Sequence, residues 1–196
     1  SINDRERAYI KKTAAVKVLC IEKGAPYVFK DYEGVLRGMS VELLKVFSEN
    51  IGLRLELVSA LPTGNIQELA ASGEYAVIAG VKTALDIVKD GGRVTTLPFS
   101  KVEDVNFVSD GYFDRDKKMA ALRGSQQGKS LPDGYEIKYY GDIEAAIRAV
   151  ERGEADFGMG NSRTVDFYVS QNRFNVKVIP RQSNFSNIGF VVCGEE

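Results

Sequence analysis

Residues 16–44 constrain the fold of this chain more strongly than any other stretch. An apolar run, Val16–Ile21, is followed by a loop containing Gly24 and Pro26 and then by an amphipathic segment that begins near Gly38. Short apolar runs between such breaking residues are typical of buried strands. A strand that feeds a helix through a loop places that loop at the carboxyl edge of a parallel sheet, where open α/β sheets bind ligands. We therefore expect an α/β fold with a ligand site near this loop.

The amphipathic segment predicts the first helix of this fold. Apolar residues recur at helical spacing, at Met39, Leu43 and Phe47, and again at Leu44. Ser40 lies where a capping residue is expected, and Gly52 lies where the helix should end.

The order of strand and helix repeats along the chain. Strands are predicted at residues 53–58 and 75–79, with a helix between them that begins at Asn65. This β-α-β-α-β order is typical of a parallel sheet with right-handed crossovers. Residues 72–80 read Ser-Gly-Glu-Tyr-Ala-Val-Ile-Ala-Gly, and residues 152–160 read Arg-Gly-Glu-Ala-Asp-Phe-Gly-Met-Gly. The repeat predicts two similar lobes, and the alternative is chance, since helix-Gly-strand segments are common in α/β proteins.

A long extended segment, residues 94–108, links the two units and is predicted to cross from one lobe to the other. The elements predicted beyond it are strands at residues 117–122, 136–140, 154–160, 176–179 and 188–192, and a helix at residues 162–171. A further helix is predicted to be capped by Asp142 and to carry Ile143, Ala146, Ile147 and Val150 on one face. A single continuous sheet with the segment near Pro98 buried inside it would contradict this two-lobed arrangement.

Composition excludes several classes of function. The 26 basic and 27 acidic residues are mixed along the chain, so no basic stripe favours nucleic acid as a partner. The absence of histidine excludes a His-based metal site and a Ser-His-Asp triad, and Cys20 and Cys193 alone cannot form a zinc site. Both cysteines lie in apolar runs, which favours buried free thiols over a disulfide. We expect neither a metal nor a cofactor.

The order of these features resembles the periplasmic solute-binding proteins of the amino-acid-binding type, known as type II or family 3. The resemblance is carried by the first strand, the loop with Pro26 and Tyr27, the pattern D-x-x-G-x-x-x-G that ends at Gly38, and the helix that ends in Gly-Leu. It implies a two-lobed α/β fold in which each lobe is a mainly parallel sheet flanked by helices, with two hinge crossings. Lobe 1 would comprise residues 1–99 and 187–196, and lobe 2 residues 100–186.

The resemblance places the ligand between the lobes, near strand ends and helix N-termini that favour anions. Four loops supply candidate ligand-binding residues: Glu22, Lys23 and Tyr27; Lys82 and Thr83; Arg123, Ser125 and Gln126; and Asn161.

The chain departs from the family pattern in these loops. Ile21 and Gly24 stand where the family often has an Asp and an aromatic residue. Asp86 stands where the family has an Arg that clamps the ligand carboxylate, and Lys82 could replace it as a point charge. Asn161 is neutral where an Asp often receives the ligand ammonium. These losses favour a solute other than an α-amino acid, or a cleft that binds little by itself.

Each candidate also has a structural interpretation. Glu22 and Lys23 could be solvated loop charges, and Tyr27 could pack in the core. Residues 123–126 could form a turn that ends a strand, and Asn161 could cap the following helix.

The sequence leaves three functions open. The first is an extracytoplasmic sensor domain, attached through a membrane segment to a cytoplasmic histidine kinase or diguanylate cyclase, with dimerisation through the full-length receptor as an option. The charged helix predicted at Asp4–Lys12 resembles the segment that precedes such domains. The second is a free solute-binding protein of an ABC transporter. Both would lie on the periplasmic or extracellular face and bind a small polar solute, amino-acid-like or another organic acid.

The third function is an enzyme on this scaffold. Catalysis would need positioned acid and base groups, for which Glu22, Glu154 and Asp156 are available. Glu154 and Asp156 fit a turn between helix and strand better, so we expect no enzyme activity.

Overall fold

The computed structural model describes residues 2–62, 65–82, 94–111, 117–125, 127 and 131–194, without the side chains of residues 94–96 and 182–184. The helices in this part of the chain are α1 (Asp4–Lys12), α2 (Met39–Ile51), α3 (Ile66–Ala71), α4 (Ile143–Glu151) and α5 (Ser162–Asn172). The strands are β1 (Val16–Ile21), β2 (Phe29–Lys30), β3 (Leu36–Arg37), β4 (Leu55–Ala60), β5 (Val77–Lys82), β6 (Val94–Val108), β7 (Lys118–Leu122), β8 (Glu136–Tyr140), β9 (Phe157–Asn161) and β10 (Lys177–Cys193). None of the described helices is both long and apolar enough to cross a membrane.

Eight strands form one hydrogen-bonded sheet in the order β4-β1-β5-β10-β6-β9-β7-β8. Strand β1 is parallel to β4 and β5, and β7 is parallel to β8 and β9. The long antiparallel strands β6 and β10 join these two groups. This arrangement confirms the predicted α/β fold, with a parallel group in each half and two crossing strands between them. The repeated segments 72–80 and 152–160 contain β5 and β9, which occupy equivalent places beside the crossing strands.

The two crossing strands pair with each other along most of their length, from Lys177 opposite Val108 to Cys193 opposite Val94. Two separate strands were predicted at residues 176–179 and 188–192, whereas the structure has one long strand with irregular register near its middle. Because this pair is hydrogen-bonded, the sheets of the two halves are continuous. Near Pro98, β6 pairs with β10 alone, because its pairing with β9 is confined to Asp104–Val108. Pro98 is exposed, so this part of the crossing is not buried within the sheet. The exact lobe boundaries stay a prediction.

Each half has its own core. In the second half, the stripe predicted for α4 is buried against the sheet, at Ile143, Ala146, Ile147 and Val150. In the first half, alternate residues of β1 face two clusters, so Cys20 packs on one side of the sheet and Cys193 on the other. Both cysteines are free thiols, as predicted. Burial raises the pKa of Cys20 to about 11.

Helix α2 forms in the predicted segment, but its capping residue and its buried face differ from the prediction. Gly38, not Ser40, is the capping residue, and Ser40 is fully buried in the first turn. Met39, Leu43 and Phe47 are 39–53 % exposed, while the inward face consists of Ser40, Val41 and Leu44. The prediction that Ser40 caps the helix was therefore wrong, and of the predicted apolar residues only Leu44 faces the core.

The reason is a contact with the preceding loop. The amides of Met39 and Ser40 donate to the carbonyls of Pro26 (2.8 Å) and Tyr27 (3.1 Å). These bonds set the rotation of the helix about its axis, and they satisfy N–H groups that would otherwise be free at a helix N-terminus.

Gly38 is the residue that permits this contact, and its replacement tests it. Gly38 has φ 120°, and a Cβ there would lie 2.2 Å from the carbonyl oxygen of Tyr27. We expect Gly38→Ala to lower the free energy of unfolding by about 3 kcal/mol or more, from backbone strain together with overpacking. Gly34 is a matched control, because it has φ 78° but a Cβ there would meet no atom within 4 Å.

We expect Gly34→Ala to cost only about 1–2 kcal/mol, the strain of the left-handed conformation alone. Urea denaturation of both variants measures the difference. Equal losses for the two variants would show that the approach of α2 to the loop is not tight.

Candidate functional site

A cleft of about 480 Å³ lies between the two halves. It is lined by residues that follow the carboxyl ends of β1, β5, β7 and β9, and by the first turns of α3, α4 and α5. Residues of the crossing strands β6 and β10 form part of its wall. The equivalent topology of the two halves explains this geometry, because the carboxyl ends of both parallel groups face the same space.

Three cationic side chains, Lys23, Lys82 and Arg181, line the described part of the cleft together with one carboxylate, Asp104. Lys82 extends from the end of β5 and lies 3.5 Å from Asp104, measured from Nζ to Oδ2. The other carboxylate oxygen accepts a 2.7 Å hydrogen bond from the hydroxyl of Ser186 on β10. Asp104 is only 9 % exposed, and these contacts with Lys82 and Ser186 compensate its charge inside the protein.

Lys23 is the cation with the least compensation. It follows β1 and is partly buried, and no carboxylate among the described residues forms an ion pair with it. Burial, and secondarily the positive charge of Lys82, lower the pKa of Lys23 to about 8. An anion bound beside Lys23 would oppose this shift, because a nearby negative charge favours the protonated lysine.

The neutral polar side chains of the cleft connect the strand ends of the second half. The amide nitrogen of Gln127 donates to the carbonyl of Met159 at 2.9 Å, and its oxygen accepts from the amide of Leu122 at 3.3 Å. The hydroxyl of Ser125 donates to the same oxygen at 3.3 Å. Gln127 therefore ties the end of β7 to β9 and holds Ser125 at the cleft.

Four of the predicted ligand-binding residues lie in this cleft: Lys23, Lys82, Ser125 and Asn161. Asn161 also caps α5, because its side-chain oxygen accepts from the amide of Thr164 at 2.9 Å. Asn161 therefore both lines the cleft and caps the following helix.

Three other predicted residues do not line the cleft. Glu22 forms an ion pair with Lys30 at 3.0 Å. Tyr27 is buried beneath the crossing strands, with its hydroxyl 3.1 Å from that of Ser100. The side chain of Arg123 is exposed just beyond β7. Thr83 and Gln126 lie outside the described residues.

Asp104, Gln127 and Arg181 line the cleft but were missed from the sequence. Asp104 and Arg181 belong to the two crossing strands, which pass beside the cleft. The position of Asp104 within the segment predicted to cross between the lobes was a weak signal, whereas Arg181 lay between two predicted strands and carried none. Gln127 is one residue beyond a predicted candidate and carries no separate signal.

The loop that follows β1 in the first half also contacts the second half directly. The amide of Ala25 donates to the hydroxyl of Tyr168 on α5 at 3.2 Å. Next to it, the rings of Phe29 and Phe167 have centroids 6.3 Å apart. A Cβ on Gly24 would lie 3.3 Å from atoms of three second-half side chains, which shows how closely the loop approaches. The two halves are thus in contact along one side of the cleft.

The sequence matches no protein-family model and no curated protein. Solved structures do match. An ancestral arginine-binding protein bound to arginine is 20% identical, with a TM-score of 0.78 over 94% of this chain and 86% of that one. The GluR0 ligand-binding core in complex with L-glutamate is 17% identical, with a TM-score of 0.78 over 94% and 87%. A histidine kinase sensor domain with similarity to periplasmic binding proteins is 18% identical, with a TM-score of 0.79 over 95% and 85%.

The chain has the type II periplasmic-binding-protein fold. The resemblance inferred from the sequence is therefore confirmed at the level of the fold. At these identities the neighbours identify the architecture, while the chemistry of the cleft depends on the side chains of this chain.

The uncompensated charge of Lys23 predicts a specific pH dependence of stability. Because the folded pKa of about 8 lies below the usual value of 10.5, the unfolded chain binds more protons between these values. The contribution of Lys23 to the free energy of unfolding therefore rises as the pH increases from about 8 to 10.5. We expect Lys23→Met to be more stable than the wild type at pH 7, with a difference that shrinks as the pH rises toward 10.

Urea denaturation at pH 7 and pH 9.5 measures this difference. Lys118→Met, at an exposed lysine of β7, is the matched control and should change neither value appreciably. A Lys23→Met variant that is less stable at pH 7, with an unchanged pH profile, would contradict the assigned environment.

The contact between Ala25 and Tyr168 predicts an effect on the closed arrangement. We expect Tyr168→Phe to lower the free energy of unfolding by about 1 kcal/mol, because the amide of Ala25 loses its acceptor. X-ray scattering should show a larger radius of gyration for the ligand-free variant. Tyr139→Phe, at a half-exposed ring of β8, is the control and should leave both quantities unchanged. Identical values for Tyr168→Phe and the wild type would mean that this bond does not hold the halves together.

Proposed function

We propose that this chain is an extracytoplasmic domain that binds a small, negatively charged solute in the cleft between its halves. The observation that carries the proposal is the set of three cations, Lys23, Lys82 and Arg181, around a cleft with one described carboxylate, Asp104, which is paired with Lys82 alone among them. Neighbours of the same fold hold arginine, glutamine or L-glutamate, which supports a small polar solute as the ligand class.

The binding mechanism follows from where the cations lie. Lys23 and Lys82 belong to the first half, whereas Arg181 lies on β10 beside the second half. A solute that contacts both sets binds the closed arrangement more strongly than an open one, and this difference in affinity shifts the equilibrium toward closure. The hinge would be the paired strands β6 and β10, near the expected lobe boundaries at residues 99–100 and 186–187.

We further propose a sensor role, in which closure is relayed through a membrane segment to a cytoplasmic signalling domain. The similarity to a histidine kinase sensor domain supports this role. Helix α1 supports it as well, because none of its residues is buried and its N-terminus is closed by a reciprocal capping box between Asn3 and Glu6. Such a helix is formed by local interactions and leads directly into β1.

The second candidate is a free solute-binding protein that delivers its ligand to a transporter. The similarity to an arginine-binding protein, with almost the same TM-score, favours it equally at the level of the fold. The sequence of the full-length gene distinguishes the two roles, since a sensor requires a signalling domain on the same chain. An enzyme is not proposed, because the similar structures reported above are ligand-binding proteins and a sensor domain.

A screen of small polar solutes tests the binding function. A ligand at about 100 times its Kd adds about 2.7 kcal/mol to stability, which for a chain of this size raises the Tm by about 5–10 °C. The same solute should reduce the radius of gyration. Arg181→Gln should weaken the Tm shift, while Arg54→Gln, at an exposed arginine ahead of β4, should preserve it.

If no solute in the screen changes the Tm or the radius of gyration, the proposal is contradicted. A solute whose Tm shift is equally large in Arg181→Gln would place its binding site elsewhere.

A further inference from the structure

We propose that the ligand of the cleft is a small dicarboxylate without an ammonium group. This inference rests on the proposed function of the cleft and adds its ligand class. It follows from which charges the cleft presents, where they come from and which of them already have partners.

The cations of the cleft extend from two groups of elements. Lys23 and Lys82 extend from loops that follow β1 and β5, whereas Arg181 extends from β10 where that strand passes the second half. A carboxylate at each end of a solute would therefore meet a cation from each half. The guanidinium of Arg181 suits this role, because its planar set of donors matches the geometry of a carboxylate.

A single carboxylate would leave one of these groups of cations uncompensated. Lys23 has no carboxylate partner among the described residues. One guanidinium nitrogen of Arg181 lies 3.0 Å from the sulfur of Met159, which is only a weak acceptor. Both groups are partly buried, and buried donors without good acceptors are costly. Two anionic groups on one solute would supply both acceptors.

An α-ammonium group has no favourable place among the described lining residues. The only carboxylate there, Asp104, already accepts from Ser186 and lies beside Lys82. A ligand ammonium would therefore enter a cleft with an excess of positive charge. Like charges in a partly buried site oppose binding, so the ammonium should reduce affinity. The cleft volume of about 480 Å³ is within the range of small-molecule sites.

Two pairs of compounds isolate the ammonium group. Glutarate and L-glutamate share a carbon skeleton and two carboxylates, and differ by the ammonium, as do succinate and L-aspartate. We expect isothermal titration calorimetry to give a roughly tenfold or greater affinity advantage for the dicarboxylate of the better-fitting pair. Butyrate, with one carboxylate, should bind more weakly than either dicarboxylate.

Two variants test which cations bind the carboxylates of the solute. Lys23→Met and Arg181→Gln should each weaken binding of the dicarboxylate roughly tenfold or more, and each should weaken butyrate binding less than that. Lys118→Met and Arg54→Gln are matched controls away from the cleft and should retain wild-type affinity.

The outcomes separate this inference from the function on which it rests. If L-glutamate or L-aspartate binds as tightly as its dicarboxylate partner, or if a monocarboxylate binds as tightly as a dicarboxylate, the ligand class is wrong and the cleft remains a solute site. If neither dicarboxylate binds but another solute does, the inference is likewise overturned. If no solute binds at all, the proposed function fails as well.

Discussion

The antiparallel pairing of β6 and β10 is the interaction on which the rest of the structure depends. These two strands hold the parallel strands of both halves in one sheet, and each lies beside one of the two equivalent parallel groups. Because the groups are related by this pairing, their carboxyl edges face a common cleft. The pair also contributes Asp104 and Arg181 to the cleft wall. The same strands thus connect the halves and carry part of the charge that a ligand would meet.

The pairing of β6 and β10 is locally irregular. The register shifts between Ile188 and Gly189, where a Cβ on Gly189 would lie 2.2 Å from the carbonyl oxygen of Leu97. Only glycine permits this approach of the two backbones. Motion of one half relative to the other would be concentrated near such a position, while the cores on either side move as units.

The sequence predicted the features that depend on residues close together in the chain. It missed those that depend on contacts between distant segments. Helix α4 was predicted with its cap and buried face, because Asp142 and the stripe from Ile143 to Val150 lie within a few turns of chain. The buried face of α2 as a whole was not predicted. The rotation of this helix is fixed by hydrogen bonds to carbonyls of the Pro26 loop, and helical periodicity gives no information about them.

The candidate site divides in the same way. Lys23, Lys82 and Ser125 lie at the cleft because they directly follow predicted strands. Their neighbours Glu22 and Arg123 point elsewhere, and the sequence does not determine this alternation once a strand has ended. Asp104 and Arg181 reach the cleft only through strand pairing between distant segments, which no local pattern encodes.

The central claim is that two rigid halves close over a charged cleft by bending at the β6–β10 pair. Distances between spin labels at exposed positions test it most directly, with one pair at Glu49 and Asp166 across the halves and one at Glu49 and Glu56 within the first half. The account predicts that a bound solute shortens or narrows the Glu49–Asp166 distance distribution and leaves the Glu49–Glu56 distribution unchanged. A cleft ligand that binds without altering the Glu49–Asp166 distribution, or that alters both distributions alike, would contradict it.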